Sequence, residues 1–114
     1  MSLDHLMKMS RVVKNNQSYL QLLIKCPCIQ RKYLLETASP EQVHAIVQAA
    51  HNMCRGYIPL TIQEKEALMP FKQSILDLEN PETPFKTKKK ILIQEGGSFI
   101  PDLLVPFLSG LMML

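Results

Sequence analysis

The sequence contains no tryptophan and has little glycine, aromatic residue or charge: four glycines, 6% aromatic residues and 20% charged residues. With 46% hydrophobic residues, this composition excludes both a collagen-like chain and a chain too polar to collapse. A length of 114 residues is enough to bury one core without disulfide bonds, and it is too short for two domains. We therefore expect one globular domain.

Runs of alternating β-branched residues, the pattern of strands, are also lacking, and apolar residues recur every three or four positions. This spacing predicts an all-α fold: a compact bundle of about five to six short helices with an apolar C-terminal helix. Capping boxes mark two helix starts, Ser39 with Gln42 and Thr61 with Glu64. Gly56 is placed to end the first of these helices.

Several prolines predict where other helices begin, end or bend. Before Pro27, the first proline, we expect a short helix from residue 3, a break at 15–16 and a second helix. Pro27 ends that second helix or opens the next, on which Ile29, Tyr33 and Leu34 share a side. Pro70 predicts either a kink or a division into two shorter helices.

A basic helix is predicted over about 84–95, with Thr83 as its cap and Pro84 at its first position. Gly96-Gly97 is expected to stop it. The glycines would then form a hinge between a helical domain, 1–95, and an apolar tail, 96–114, which belongs to the same domain.

Three cysteines, Cys26, Cys28 and Cys54, are an odd number and too few for a disulfide framework. Charged residues interrupt the first nine positions, so we expect no cleavable signal and a reducing, intracellular compartment. His44 and His51 would complete a zinc set, but a single proline between Cys26 and Cys28 is not a zinc spacing. No metal site is predicted.

Patterns that carry catalysis are lacking as well. His51 precedes Cys54 by one helical turn, but no glycine-rich elbow or oxyanion turn accompanies the pair. The residues around Gly96-Gly97 do not have the pattern of a phosphate-binding loop. We therefore expect a non-enzymatic protein with no catalytic residue and no cofactor.

The candidate nucleic-acid-binding residues are four lysines in a short run, Lys86, Lys88, Lys89 and Lys90. Their ammonium groups can neutralise phosphates and give salt-sensitive affinity for double-stranded DNA. Few aromatics lie among them, so stacking on single-stranded bases is not expected. The alternative is a solvated helix face. Other basic residues would add to the same field if the chain ends meet: Arg11, Lys14, Lys25, Arg31 and Lys32.

The apolar tail has three interpretations: a core helix, a segment that docks onto a partner protein, or a segment that inserts at a bilayer surface. Prolines and Asp102 interrupt it, so it is not predicted to span a membrane. The candidate partner or membrane contacts are the residues with helical spacing: Phe99, Ile100, Leu103, Leu104, Phe107, Leu108 and Leu111.

The C-terminal third of the sequence has four features in a fixed order. They are a lysine run over 88–90, Gly96-Gly97, Phe99-Ile100-Pro101, and a tail rich in leucine and proline. This order resembles the C-terminal part of small proteins encoded by Maverick/Polinton DNA elements and the related adintoviruses. The tail also looks like that of the adenovirus core protein X precursor. The resemblance extends over about residues 33–108. Glu64 and Glu66, where the resemblance leads us to expect lysine, depart from the pattern.

The resemblance implies a non-enzymatic, virion-associated structural protein that acts in the nucleus or the particle and contacts DNA. The residues themselves leave two alternatives open. One is a helical protein-interaction or assembly module that binds virion proteins or a second copy of itself, in which the lysines are only solvent-exposed surface residues. The other is a capsid component that disturbs membranes through its tail.

Overall fold

The computed structural model describes the backbone of residues 11–112 and the side chains of residues 11–109. Residues 11–15 are helical, and six longer helices follow within this range. They are α1 (Gln17–Lys25), α2 (Cys28–Glu36), α3 (Pro40–Cys54), α4 (Ile62–Leu68), α5 (Lys72–Glu79) and α6 (Phe85–Met112). Since no strand occurs in the described range, the all-α prediction is confirmed. The part of the predicted first helix before residue 11 lies outside it.

Both predicted capping boxes are present. The Ser39 hydroxyl accepts from the Gln42 amide at 3.1 Å, and the Gln42 side chain accepts from the Ser39 amide at 2.9 Å. Thr61 and Glu64 make the same reciprocal pair at the start of α4, at 3.1 and 2.8 Å. Each box satisfies two amides that have no partner within the helix, so these starts are fixed by local sequence.

The end of α3 is also fixed locally. Gly56 has a φ of +73°, the left-handed conformation that L side chains rarely adopt. Its amide bonds the Met53 carbonyl at 3.1 Å, and the Tyr57 amide bonds the Asn52 carbonyl at 3.0 Å. This pair of bonds is the Schellman motif. The predicted helix end at Gly56 is therefore confirmed.

Pro70 divides the helix predicted to follow Thr61 into two shorter helices, which is one of the two predicted outcomes. A 3₁₀ turn, Met69–Phe71, contains the proline and separates α4 from α5. An α-helix would have needed an amide at this position, and proline has none. The turn places Phe71 against the core, where its ring lies 5.3 Å from that of Phe99.

Helix α6 is the centre of the bundle, because each of the other five helices packs against it. The two largest fully buried side chains, Phe99 and Phe107, belong to α6. Leu20 and Leu23 from α1, Leu35 from α2 and Ile46 from α3 are also fully buried. The C-terminal half of α6 is thus the part of the chain around which the fold is built.

The predicted helix stop at Gly96-Gly97 is wrong, since α6 continues through both glycines. Glycine in a helix interior costs about 1 kcal/mol relative to alanine, so tertiary packing must favour it here. A Cβ on Gly96 would lie 2.8 Å from Leu35 Cδ1, and one on Gly97 would lie 3.1 Å from Cys28 Sγ. The glycines therefore let α2 approach the α6 backbone closely, and no hinge separates the basic half from the apolar half.

Two prolines leave backbone carbonyls without their usual helical donor. Pro101, inside α6, has no amide hydrogen to offer the carbonyl of Gly97. Pro27, between α1 and α2, likewise has none for the carbonyl of Leu23, four residues earlier. Both carbonyls need another donor, because an unpaired buried carbonyl costs about 1–3 kcal/mol.

Arg31 supplies that donor to both carbonyls. Its guanidinium donates from Nε to the Leu23 carbonyl at 2.5 Å and from Nη1 to the Gly97 carbonyl at 2.6 Å. A third bond runs from Nη2 to the carbonyl of Cys26 at 2.9 Å. Arg31 is buried, so its charge joins α1, α2 and α6 and is not available to the basic field expected from the sequence.

Tyr19 makes a second link between α1 and α2. Its hydroxyl donates to the Leu34 carbonyl at 3.0 Å. That carbonyl has no backbone donor, because the Ala38 amide bonds the carbonyl of Leu35 instead. Burial, and secondly the nearby Cys26, raise the pKa of Tyr19 to about 12. The phenol therefore stays neutral and keeps its hydrogen through the physiological range.

Candidate nucleic-acid interface

The four candidate lysines lie on the first two turns of α6. The helix begins one residue later than predicted, with the Pro84 carbonyl accepting from the Lys88 amide at 3.0 Å. Lys86 and Lys90 are exposed and share a face four residues apart, whereas Lys88 and Lys89 are half-buried. The structure therefore brings the lysines to the surface as one basic cluster, and only two of them are freely exposed.

Lys89 also has a structural contact. Its ammonium group donates to the carbonyl of Ala38 at 2.8 Å, in the connection between α2 and α3. This bond joins the start of α6 to the end of α2. Substitution of Lys89 would therefore disturb the fold as well as the surface charge.

Phe85, the first residue of α6, lies among these lysines, and its side chain is 47% exposed. It lines two grooves. A groove of about 430 Å³ is lined by Phe85, Lys86, Lys89, Lys90, Ile93 and Gln94. A second groove, of about 250 Å³, is lined by Pro40, Val43, His44, Val47, Thr83, Phe85 and Lys88. Each of the four lysines therefore lines a groove that contains the Phe85 ring.

No carboxylate in the described residues forms an ion pair with the lysine cluster. The ion pairs of this range lie elsewhere, between Glu79 of α5 and the side chains of His51 and Arg55, at 3.1 and 3.5 Å. Helix α6 also has no acidic residue in its first turn. Positive charge at a helix N-terminus is unfavourable, because the free amides there already carry partial positive charge.

The candidate contact residues of the tail lie in the core. Phe99, Ile100, Leu103, Leu104 and Phe107 are fully buried, and Leu108 is 8% exposed. The side chain of Leu111 lies outside the described residues. The core-helix interpretation of the tail is thus the one that the structure shows, and these side chains could meet a partner or a bilayer only if α6 left the bundle.

The length and composition of residues Phe85–Ser109 would allow α6 to cross a membrane. Half of its most apolar segment is buried inside the protein. Long core helices of globular proteins that are mostly buried have the same length and apolar composition.

A different apolar surface is exposed. Ile29 and Tyr33, which share a side of α2 as predicted, are 87% and 64% exposed, and Leu22 of α1 is also exposed. Together with Gln30 and Leu34 they line a groove of about 290 Å³ between α1 and α2. The sequence pattern gives the shared side, but it does not say that this side faces solvent.

The cysteines and histidines within the described residues do not form a cluster. Cys26 is buried, Cys28 and Cys54 are exposed, and no group of three potential metal ligands occurs in the part of the chain described. His51 bonds Glu79. Partial burial and then the charge of Glu79 raise the pKa of the Cys54 thiol, while Arg55 opposes them. A thiol with a raised pKa is a weak nucleophile.

Comparison of the chain with protein-family models, curated proteins and solved structures gives no match.

Proposed function

We propose that the chain is a non-enzymatic helical protein that associates with double-stranded DNA through Lys86, Lys88, Lys89 and Lys90. The supporting observation is that these four ammonium groups cluster at the start of α6 without a carboxylate partner among the described residues. Bound phosphates would neutralise a cluster that the helix dipole otherwise disfavours. They would also release the counterions condensed on DNA, which is the main source of sequence-independent affinity.

The test compares two charge reversals of equal size. Lys86→Glu with Lys90→Glu changes the two exposed lysines of the cluster, and Lys25→Glu with Lys32→Glu changes two exposed lysines on α1 and α2. Anisotropy of a labelled duplex, measured between about 50 and 200 mM salt, gives the affinity and its salt dependence. Lys89 stays unchanged because of its bond to Ala38.

The expected result is a large loss of affinity for the α6 variant and a small loss for the control. The plot of log affinity against log salt should become less steep, its negative slope shrinking by about 0.9 for each phosphate contact removed. Equal losses in the two variants would mean that net charge alone attracts DNA. Failure of the unaltered chain to bind at low salt would overturn the proposal.

A nuclear or virion-associated setting for this binding is part of the proposal, and the sequence resemblance over residues 33–108 supports it. The prediction is that the chain co-purifies with DNA-containing particles or with chromatin. Mass spectrometry of full and empty particles checks it. A chain found in equal amounts in both would act as a shell component and not as a DNA-associated one.

A second candidate function, an assembly module, is favoured by the exposed groove between α1 and α2. Exposed apolar patches on a soluble protein usually mark an interaction surface. Lys32 and Glu36 are both exposed on α2 beside Ile29 and Tyr33, so the rim carries both signs of charge. In a two-fold dimer the same patch meets itself, and a rim of mixed sign can then pair with its own copy.

Sedimentation over a range of concentrations tests this candidate. The unaltered chain should dimerise as concentration rises, and Ile29→Glu should abolish the dimer because it places a charge on the most exposed apolar residue of the patch. Ile62→Glu is the matched control, since Ile62 is 74% exposed on α4 and lines none of the described grooves. A chain that stays monomeric throughout would exclude self-association through this patch.

A further inference from the structure

The Phe85 ring adds an element that binding to duplex phosphates does not use. Phe85 is 47% exposed at the surface, whereas the rings of Phe99 and Phe107 are fully buried in the core. It lies between the two grooves that the four lysines line. An exposed aromatic ring surrounded by ammonium groups is the combination found in proteins that bind single-stranded nucleic acid.

The larger groove has an apolar floor and a basic rim. Phe85 and Ile93 form the floor, and the aliphatic stems of Lys86, Lys89 and Lys90 line it. The charged ends of the exposed Lys86 and Lys90 reach water, whereas the Lys89 ammonium donates to the Ala38 carbonyl. An unpaired nucleotide offers both complementary parts, a flat base for the ring and a phosphate for the rim. A duplex offers only the phosphates, because its bases are stacked on one another inside the helix.

We infer that the Phe85 grooves accept unpaired nucleobases beside the lysine cluster, so that the chain prefers single-stranded nucleic acid to duplex DNA. The inference rests on the proposed function and names the form of nucleic acid that the site selects. It differs from the sequence-based expectation that stacking would play no part, because Phe85 lines both of the grooves that the four lysines line. One stacked base is expected to raise affinity about tenfold.

The experiment uses a labelled oligothymidine of about 16 nucleotides and a duplex of the same length. Phe85→Leu keeps an apolar side chain of similar size but removes the aromatic face. Tyr57→Leu is the matched control, since Tyr57 is also an exposed aromatic, 54% exposed, and lines neither lysine groove. Circular dichroism verifies that each variant folds.

The expected result is that the unaltered chain binds oligothymidine about tenfold more tightly than duplex, and that Phe85→Leu removes this preference. Duplex affinity should not change. Phe85→Trp should keep the preference that Phe85→Leu removes, and its fluorescence should show the stacking directly. Because the chain has no tryptophan, the new indole would be its only one, and stacking on a base would quench its fluorescence.

Failure of this inference can be told apart from failure of the proposed function. If Phe85→Leu leaves oligothymidine binding unchanged while both nucleic acids still bind, the lysines act alone and only the stacking inference is overturned. If polyglutamate of equal charge competes as well as oligothymidine, the groove recognises charge or acidic protein, and the inference is again overturned. If neither nucleic acid binds at low salt, the proposed function fails with it.

Discussion

The Arg31 guanidinium donates to the Gly97 carbonyl over 2.6 Å, across 66 positions of sequence. Pro101 makes this bond possible, because a residue with an amide hydrogen at that position would bond the same carbonyl within α6. A proline and an arginine on different helices are therefore one structural unit. It fixes α2 against the middle of α6 and, through α6, sets the position of the lysine cluster.

Arg31→Ala should lower the free energy of unfolding by at least about 3 kcal/mol. Two buried carbonyls and the half-buried Gly97 carbonyl lose a charged donor, and each unpaired carbonyl is costly. Urea unfolding followed by circular dichroism measures the change. Lys32→Ala, the exposed neighbour on the same helix, should stay within about 0.5 kcal/mol of the unaltered chain. Similar losses in both variants would contradict the structural role of Arg31.

Pro101→Ala should make the loss of Arg31 less costly. Alanine restores an amide hydrogen that can bond the Gly97 carbonyl, so this carbonyl depends less on Arg31 and on the long contact from the Cys28 thiol at 3.8 Å. A double-mutant cycle of Arg31→Ala and Pro101→Ala is expected to give a coupling free energy of about 1 kcal/mol. Strict additivity would show that the two residues act independently.

Gly96→Ala should destabilise the fold, although the same change in an exposed helix stabilises it by about 1 kcal/mol. The new methyl group would lie 2.8 Å from Leu35 Cδ1, in a fully buried contact. Overpacking of this kind costs about 1–3 kcal/mol. Leu35→Val removes the closest colliding atom and leaves the contact with Ile100 Cγ1 at 3.2 Å, so Gly96→Ala should cost clearly less in that background. A stabilising effect in the unaltered chain would disprove the close approach.

Stability should fall between about pH 10 and pH 12 as Tyr19 ionises. Its folded pKa is raised from 10.0 to about 12, so the unfolded chain loses the proton first. The stabilising contribution is complete below pH 10 and is lost as pH rises through 12. Tyr19→Phe does not titrate, and it loses the bond to Leu34, which is worth about 1 kcal/mol at neutral pH. Unfolding curves of the two chains should therefore converge as pH rises, and parallel curves would be the contrary result.

The features that sequence predicts correctly are those decided by neighbours in the chain. Ser39 with Gln42, and Thr61 with Glu64, satisfy helix amides within three residues. The Gly96-Gly97 stop is wrong because the deciding contacts come from Cys28 and Leu35, more than sixty positions away. Local propensity ends a helix at two glycines only when no other helix crosses there.

The candidate site was predictable in part for the same reason. A lysine run can be read directly from the sequence. The hydrogen bonds from Lys89 to the Ala38 carbonyl and from Arg31 to the Gly97 carbonyl depend on the folded arrangement. Phe85 stands beside Lys86 in the sequence, so a signal was present. Its meaning depends on exposure, which the sequence could not supply because Phe99 and Phe107 carry equally apolar rings and are buried.

The unbroken course of α6 couples ligand binding to protection of the apolar tail. A ligand that binds only the folded chain stabilises it by mass action, by about 2.7 kcal/mol at a hundredfold excess over its Kd. Since the lysines and the core residues share one helix, that stabilisation extends to Phe99 and Phe107 as well as to the surface. On the proposed function, nucleic acid therefore acts as a folding cofactor, and the tail is most often exposed when the chain has been stripped of it.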